Sequence, residues 1–190
     1  FLPIWYEIDF NIIGMGFNDR ESAQKSGYRW FPYNKGGDYR KWYGNNEYIV
    51  DWNNDGYEIR NFRDSKGNLR SRPQNMNYYF KKSITWSFVN LVFGVRYSDP
   101  GAIFDVGGSS IFPSEKEIYY LTGFLCTKIA NEFLKIMNPS LNFQVGNIAS
   151  LPLLFPTSNE VSDEINHLVK RNILISKNDW DSLETSWDFE

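Results

Sequence analysis

The first two-thirds of the chain alternates short runs of aromatic and β-branched residues with clusters of Gly, Asn and Asp. These runs predict six strands, at residues 28–31, 48–52, 57–60, 84–89, 92–97 and 102–106. The clusters between them, such as NKGGD, NNDG and SDPG, are typical of turns. Asp55-Gly56 lies between two aromatic runs and predicts a hairpin. Short strands with frequent turns indicate a compact, irregular sheet or barrel.

After Ser114 the spacing of apolar residues changes to that of a helix. Ser114 stands three residues before Glu117, which predicts a capping box, and Asn138-Pro139 is a plausible end. Apolar positions recur every three or four residues and predict one amphipathic helix, with its core face formed by Ile118, Leu121, Leu125, Ile129, Phe133 and Ile136.

A second amphipathic helix is predicted near the end of the chain. Its apolar positions run from Val161 to Ile175, and Thr157 or Ser158 would cap it. The fold class is therefore predicted to be α+β, an irregular β-rich lobe over residues 1–113 followed by two helices. The helical part, residues 114–190, is expected to pack on the lobe and on further parts of a longer protein.

The net charge of −3 is unevenly distributed along the chain. Residues 20–96 contain 14 Lys and Arg against 7 Asp and Glu, whereas residues 97–190 contain 6 against 13. A basic half in an otherwise acidic chain indicates an anionic partner for that half. The charge pattern by itself fits an ordinary solvated surface equally well.

Two segments match parts of ligand-binding loops. Residues 51–56, DWNNDG, match the start of a calcium loop, but Phe62 occupies the twelfth position, where a Glu is needed. A hairpin is the preferred interpretation. The segment DVGGSS could cradle a phosphate or S-adenosylmethionine through its backbone amides. Because Ile111-Phe112-Pro113 separates it from the following helix, a tight turn is preferred.

The sequence offers few catalytic side chains. His167 is the only histidine and Cys126 the only cysteine, and both are interpreted as structural residues of helices. There is no His/Cys cluster with the spacing of a zinc site. We therefore expect no enzyme activity and no cofactor or metal in this chain. A single cysteine suits a reducing cytoplasm, and the lack of an apolar run of 18 residues predicts no membrane span.

Three stretches combine basic, amide and aromatic residues: 33–46, 70–75 and 81–82. Lys and Arg neutralise phosphates, while Asn, Gln and Arg have the shapes that fit base edges in a major groove. Nucleic-acid binding is one hypothesis for these stretches. The alternative is a solvated surface in which Lys81 and Lys82 protect a strand edge from aggregation.

Five separated segments resemble the C-terminal half of PglX-type proteins, the adenine-specific DNA methyltransferases of bacterial BREX phage-defence systems. These proteins are similar to type IIG restriction-modification enzymes. The segments occur in the family's order, from about Glu7 to Phe189, and begin FNDRESAQ, SRPQNMNYYF, FDVGGSSIFP, NPSLNFQVGN and SKNDWDSLET. The chain also resembles the specificity subunits of type I restriction systems, in which a β-rich target recognition lobe reads DNA.

The resemblance implies that this chain is a target recognition region that binds duplex DNA. The catalytic residues and the S-adenosylmethionine site would lie in a methyltransferase domain upstream on the same polypeptide. Partners implied are duplex DNA, that upstream domain and other defence-system proteins, without a membrane. Two other classes remain open: a protein-interaction domain that docks through the Ile165–Ile173 face, and a carbohydrate-binding module that uses the abundant Trp and Tyr.

Within this resemblance, particular side chains are expected at the DNA. The expected phosphate contacts are Lys35, Arg40, Lys41, Arg70, Arg72, Lys81, Lys82 and Arg96. The expected base-reading residues, beside the arginines, are Asn45, Gln74, Asn75 and Thr85. Trp42 and Trp86 are assigned to the core.

Overall fold

The computed structural model describes residues 1–189 and confirms the α+β class. The strands in this range are β1 (Trp30–Asn34), β2 (Tyr48–Asp51), β3 (Ser83–Trp86), β4 (Val95–Ser98), β5 (Ile103–Phe104) and β6 (Ser110–Ile111). The helices are α1 (Arg20–Ser26), α2 (Asn53–Arg60), α3 (Ile118–Leu125), α4 (Lys128–Met137), α5 (Val145–Ala149) and α6 (Asn159–Asp181). Short 3-10 turns occupy Trp5–Glu7, Phe10–Ile12 and Met76–Tyr78.

The strands form two separate three-stranded sheets. The first sheet has the order β2-β1-β5, with β1 antiparallel to β2 and parallel to β5. The second sheet has the order β4-β3-β6 and is antiparallel throughout. Five of the six predicted strands are present within a few residues of their predicted bounds.

Helix α2 replaces the hairpin and the strand that were predicted around Asp55-Gly56, so both predictions are wrong. Asn54, Asp55 and Gly56 have φ angles of 48°, 57° and 71°, which these residue types tolerate better than most. Asp55 accepts hydrogen bonds from Arg20 (Nε to Oδ1, 2.9 Å) and Arg60 (3.0 Å). Asp55 and Gly56 have the positive φ that an Asp-Gly pair favours. However, the ion pair with Arg20 holds this turn against α1, the pair with Arg60 lies within α2, and the chain continues as a helix.

The single helix predicted after Ser114 is in fact two helices, α3 and α4. The break lies at Thr127, which has an extended backbone and accepts a hydrogen bond from the N–H of Ala130 through Oγ1 (3.2 Å). The new N-cap rotates the core face, so that Ala130 and Leu134 are buried while Ile136 is 79% exposed. The predicted core positions Ile129 and Phe133 are exposed for the same reason.

The long helix α6 packs along α3. It begins after Ser158, one of the two predicted caps, and buries Val169, Ile173 and Trp180. Gly123 allows the close approach of α3, because a Cβ there would lie 2.7 Å from Cγ2 of Val169. Within residues 1–189, four helices follow the lobe instead of the predicted two. None of the described helices is both long and apolar enough to cross a membrane.

Two hydrophobic clusters hold the fold together. The larger cluster unites the second sheet with the helices and includes Trp86, Leu134 and Trp180. The smaller cluster lies against the first sheet and includes Phe31 and Phe80. The larger cluster crosses the predicted boundary at residues 113 and 114. The division into a lobe and a helical part remains a prediction, and residue 190 lies outside the described range.

We expect Trp86→Phe to lower the free energy of unfolding by about 2–4 kcal/mol, because it leaves a cavity and an unpaired carbonyl group. The fully buried indole of Trp86 donates a hydrogen bond to the Phe143 carbonyl at 2.8 Å. Urea unfolding measures the loss. Trp5→Phe is the matched control, since the half-buried Trp5 also donates to a carbonyl, that of Thr185, at 2.9 Å. Equal losses in both variants would contradict the central position of Trp86.

Candidate nucleic-acid interface

A cleft of about 540 Å³ opens beside the first sheet. One side is lined by residues of the sheet and its strand ends, including Tyr33, Trp52 and Phe104. The other side is lined by the loop between α2 and the following 3-10 turn, which contributes four of the predicted site residues: Arg70, Arg72, Gln74 and Asn75. The structure therefore gathers one of the three basic stretches along a single concave surface.

The loop after α2 is shaped by its own hydrogen bonds. Oδ1 of Asp64 accepts hydrogen bonds from the backbone N–H groups of Lys66 and Asn68, both at 2.9 Å. The bond from Asn68 lowers the pKa of the Asp64 carboxyl group. The backbone N–H of Arg70 donates to the carbonyl of Phe62 at 2.8 Å and closes the loop. The residues after Arg70 are thereby directed along the cleft.

Four predicted cations are exposed and have no carboxylate partner within residues 1–189: Lys35, Arg70, Arg72 and Lys81. The ammonium groups of Lys35 and Lys81 each lie over a tyrosine ring, 4.1 and 5.3 Å from its centroid. A cation–π contact leaves the charge available to solvent and to anions. These four side chains are free to contact phosphates.

Three other predicted cations instead connect the lobe to the helical part. Arg40 pairs with Asp179 at 3.2 Å and lies over the ring of Trp180. Lys41 donates to a carbonyl between α3 and α4 at 2.8 Å. Lys82 lies 2.8 Å from a carboxylate oxygen of Glu115, and this hydrogen bond raises the pKa of Lys82.

Thr85 and Arg96 are buried, with exposures of 3% and 2%. They face each other across the β3–β4 pairing. Thr85 donates to the carbonyl of Ser109 at 3.1 Å, and Nη1 of Arg96 lies 3.4 Å from Oγ of Ser87. Within the described residues Nε of Arg96 has no acceptor, and burial lowers the pKa of Arg96 to about 10. Neither side chain reaches the surface, so we leave both out of the proposed contacts.

The Asn and Gln residues that were expected to read bases differ in whether their side chains are exposed or hold their own loop. Gln74 and Asn75 are exposed at the cleft, and Asn75 has a φ of 55° at the start of the 3-10 turn. Nδ2 of Asn45 donates to the carbonyl of Asp38 at 2.8 Å, so this side chain holds its own loop.

The cleft is also lined by aromatic residues that were not among the predicted site residues: Trp52 and Phe104 from predicted strands, and Tyr33 and Tyr79 from outside them. Burial raises the pKa of Tyr79 to about 12, and burial followed by the charge of Asp105 raises the pKa of Tyr33. Nε1 of Trp52 is buried and has no acceptor within the described residues. The sequence shows that residues 52 and 79 are aromatic, but no feature of the sequence indicates whether an aromatic residue lines a cleft or lies in a core.

The two segments that match parts of ligand-binding loops, DVGGSS and DWNNDG, are held by contacts within the protein. Oδ1 of Asp105 accepts a hydrogen bond from the N–H of Gly107 at 2.7 Å, and a Cβ on Gly108 would lie 2.0 Å from the Asn34 carbonyl. The DVGG segment is thus a tight turn against β1. In the segment DWNNDG, which matches the start of a calcium loop, the carboxylate of Asp51 is paired with Arg29 at 2.6 Å. No group of three or more His, Cys, Asp or Glu among the described residues is arranged to hold a metal ion.

Comparison with known proteins gives two matches over the whole chain. The chain is 34% identical across 192 residues to the adenine-specific methyltransferase PglX of Lacticaseibacillus casei (strain Zhang). It is 37% identical across 193 residues to the adenine-specific methyltransferase BrxX of Escherichia coli O9:H4 (strain HS). It spans 16% and 14% of the lengths of these proteins. No family model matches it.

These matches define the chain as one region related to adenine-specific methyltransferases. More particularly, the chain is similar over its whole length to one region of PglX and BrxX, so the resemblance predicted from the five separated segments is confirmed.

The buried Tyr79 predicts a loss of stability at alkaline pH. Its folded pKa of about 12 exceeds the ordinary value of 10.0, so the folded state keeps this proton while the unfolded chain loses it. Stability therefore falls as pH rises above about 10. We expect the fall to be shallower in Tyr79→Phe, by up to about 1.4 kcal/mol per pH unit, when urea unfolding is compared between about pH 9 and pH 11.

Tyr57→Phe is the control for this comparison, because Tyr57 is 60% exposed. It should keep the slope of the wild type. A Tyr79→Phe slope equal to that of the wild type would show that the folded state does not hold this proton.

Proposed function

We propose that this chain is the DNA target recognition module of a PglX-type, adenine-specific N6 methyltransferase in phage defence. In this proposal the module binds duplex DNA and selects the site, and an upstream domain of the same polypeptide carries S-adenosylmethionine and the catalytic residues. Because N6 of adenine cannot be methylated within the base stack, the upstream domain would take the adenine flipped out of the duplex.

The observation that carries the proposal is the Arg70–Asn75 segment at the rim of the cleft. It presents Arg70 and Arg72 without carboxylate partners in the described chain, followed by the exposed amides of Gln74 and Asn75. Unpaired cations neutralise phosphates and fix the register of a protein on DNA, while amides and arginines read base edges. Lys35 and Lys81 extend the set of free cations.

The separation of charge supports the same proposal. The acidic helical part pairs with the cations nearest to it, such as Arg40 and Lys82. Lys177 pairs with Asp181 and Asp188 within that part. The cations at the cleft are left unneutralised, and electrostatic attraction of a polyanion would be directed to that face.

The two alternative classes receive less support from the geometry. A carbohydrate-binding module needs exposed aromatic platforms, and only tyrosines such as Tyr57 could supply them among Trp and Tyr in the described residues, because each of the seven Trp residues is buried or half-buried. A docking domain that uses the Ile165–Ile173 face would need that face free, yet Val169 and Ile173 are buried in the larger cluster. Docking of the upstream domain or of other defence proteins on other surfaces is compatible with the DNA role.

The test is fluorescence anisotropy of the chain with labelled random duplex DNA across a salt series. We expect log K to fall linearly with log salt, and the double variant Arg70→Ala/Arg72→Ala to show a slope shallower by about 1.8, or about 0.9 per phosphate contact.

The matched control for charge is Lys128→Ala/Arg171→Ala. It removes two exposed cations from the helical part and should keep the slope of the wild type. Identical slopes for the two double variants, or an absence of salt-dependent binding, would overturn the proposal.

A further inference from the structure

We propose that the cleft beside the first sheet accepts one unstacked nucleobase of the bound DNA, separate from the adenine that is methylated. This inference rests on the proposed DNA-binding function. It assigns the interior of the cleft a ligand class, whereas the proposed function uses only its rim.

The size of the cleft fits a single nucleotide. Its volume of about 540 Å³ lies in the range of sites that enclose small planar ligands and is too small for a duplex. A base could enter only after leaving the stack, while its sugar and phosphate stay at the rim.

The walls of the cleft fit the faces of a base. Trp52, Tyr79 and Phe104 form a connected group of rings, with centroid distances of 5.3 Å from Tyr79 to each of the other two. Tyr33 from β1 and Phe62 from the loop also line the cleft. Unpaired bases are commonly held against aromatic side chains, because every base has an apolar π-face.

Two residues that line the cleft, Trp52 and Asp105, carry polar groups of the kind found along the edge of a base. Trp52 is only 4% exposed, and its Nε1–H has no acceptor within the described residues. A buried donor without an acceptor is uncommon and costs free energy. The Asp105 carboxylate is held in place by the Gly107 N–H at 2.7 Å and lines the same cleft. Base edges carry both acceptors and amino donors, so they match this donor and this carboxylate.

The charged residues along the cleft distinguish a base from a phosphate. Arg70 and Arg72 line the rim and would hold the backbone phosphates on either side of the unstacked nucleotide. The exposed carboxylate of Asp105, which also lines the cleft, would repel a phosphate group placed beside it. The neutral base is therefore the part of the nucleotide that fits the interior.

The test compares three duplexes of the same sequence by fluorescence anisotropy: fully paired, with one bulged nucleotide, and with one bulged abasic site. A bulge removes most of the cost of unstacking, so we expect wild type to bind the bulged nucleotide roughly tenfold tighter than the other two duplexes, the scale of one base–aromatic stack. The abasic bulge carries the same bend without a base.

Val145→Trp is the variant that narrows the cleft, because Val145 lines it and is 51% exposed. We expect it to lose the preference for the bulged nucleotide and to keep the wild-type affinity for paired duplex. Val89→Trp is the matched control, since Val89 is 59% exposed and is not among the residues that line the cleft. Thermal unfolding of both variants checks that each is folded.

The possible outcomes separate this inference from the proposed function. The base site is overturned if wild type binds the nucleotide bulge and the abasic bulge equally well, or if Val145→Trp keeps the preference for the nucleotide bulge. In either case, salt-dependent binding of the paired duplex would leave the proposed DNA role intact. A lack of binding to all three duplexes overturns both.

Discussion

The fold depends on strand β3, whose two faces are buried in different environments. Ile84 and Trp86 pack into the larger hydrophobic cluster under the helices. Thr85 points to the opposite side, where Asn34 of β1 also donates to Ser98 of β4 at 3.1 Å. A shift of one residue would place hydroxyl groups in the apolar cluster and apolar groups in the polar layer, so the register is fixed from both sides. The second sheet, the helices and the first sheet are all positioned by this strand.

This arrangement explains why the cleft forms where it does. The helices after the lobe cover the apolar face of the second sheet, while β1 and the loop after it close its polar face. The outer end of the first sheet is left to a loop that contributes hydrogen bonds but little apolar cover. The acidic helical part also engages Arg40 and Lys82, whereas Arg70 and Arg72 have no carboxylate partner among the described residues. The packing of the helical part on the second sheet therefore accounts for both the concave surface and its positive rim.

Sequence patterns predicted helices and strands well where the residues of the element itself determine its structure. Aromatic and β-branched content located five strands, and Ser158 marked the start of α6, although its side chain makes no capping hydrogen bond. The predicted cap at Ser114 is wrong, because the N-cap of α3 is Glu117. The prediction failed where tertiary contacts decide: Asp55 is held by two arginines and turns the chain into α2, and Thr127 restarts a helix within a continuous apolar pattern. Thr85 and Arg96 were expected at the DNA, but β1 and the loop after it cover that face of β3 and β4, and both side chains are buried. Of the candidate site, the Arg70–Asn75 segment was predictable from composition, but its aromatic cleft was not.

Two buried donors lack acceptors within residues 1–189, and they lie in different surroundings. Nε of Arg96 lies in the layer between the sheets, whereas Nε1 of Trp52 belongs to a residue that lines the cleft. An unpaired buried donor destabilises the free protein in either place. In the proposed base site, a base that reaches Nε1 of Trp52 would relieve that cost and add to binding affinity. For Arg96 no ligand can enter without separating the sheets, so its cost belongs to the fold alone. Of these two sites, only the open cleft can therefore bind a ligand, and the buried Arg96 cannot.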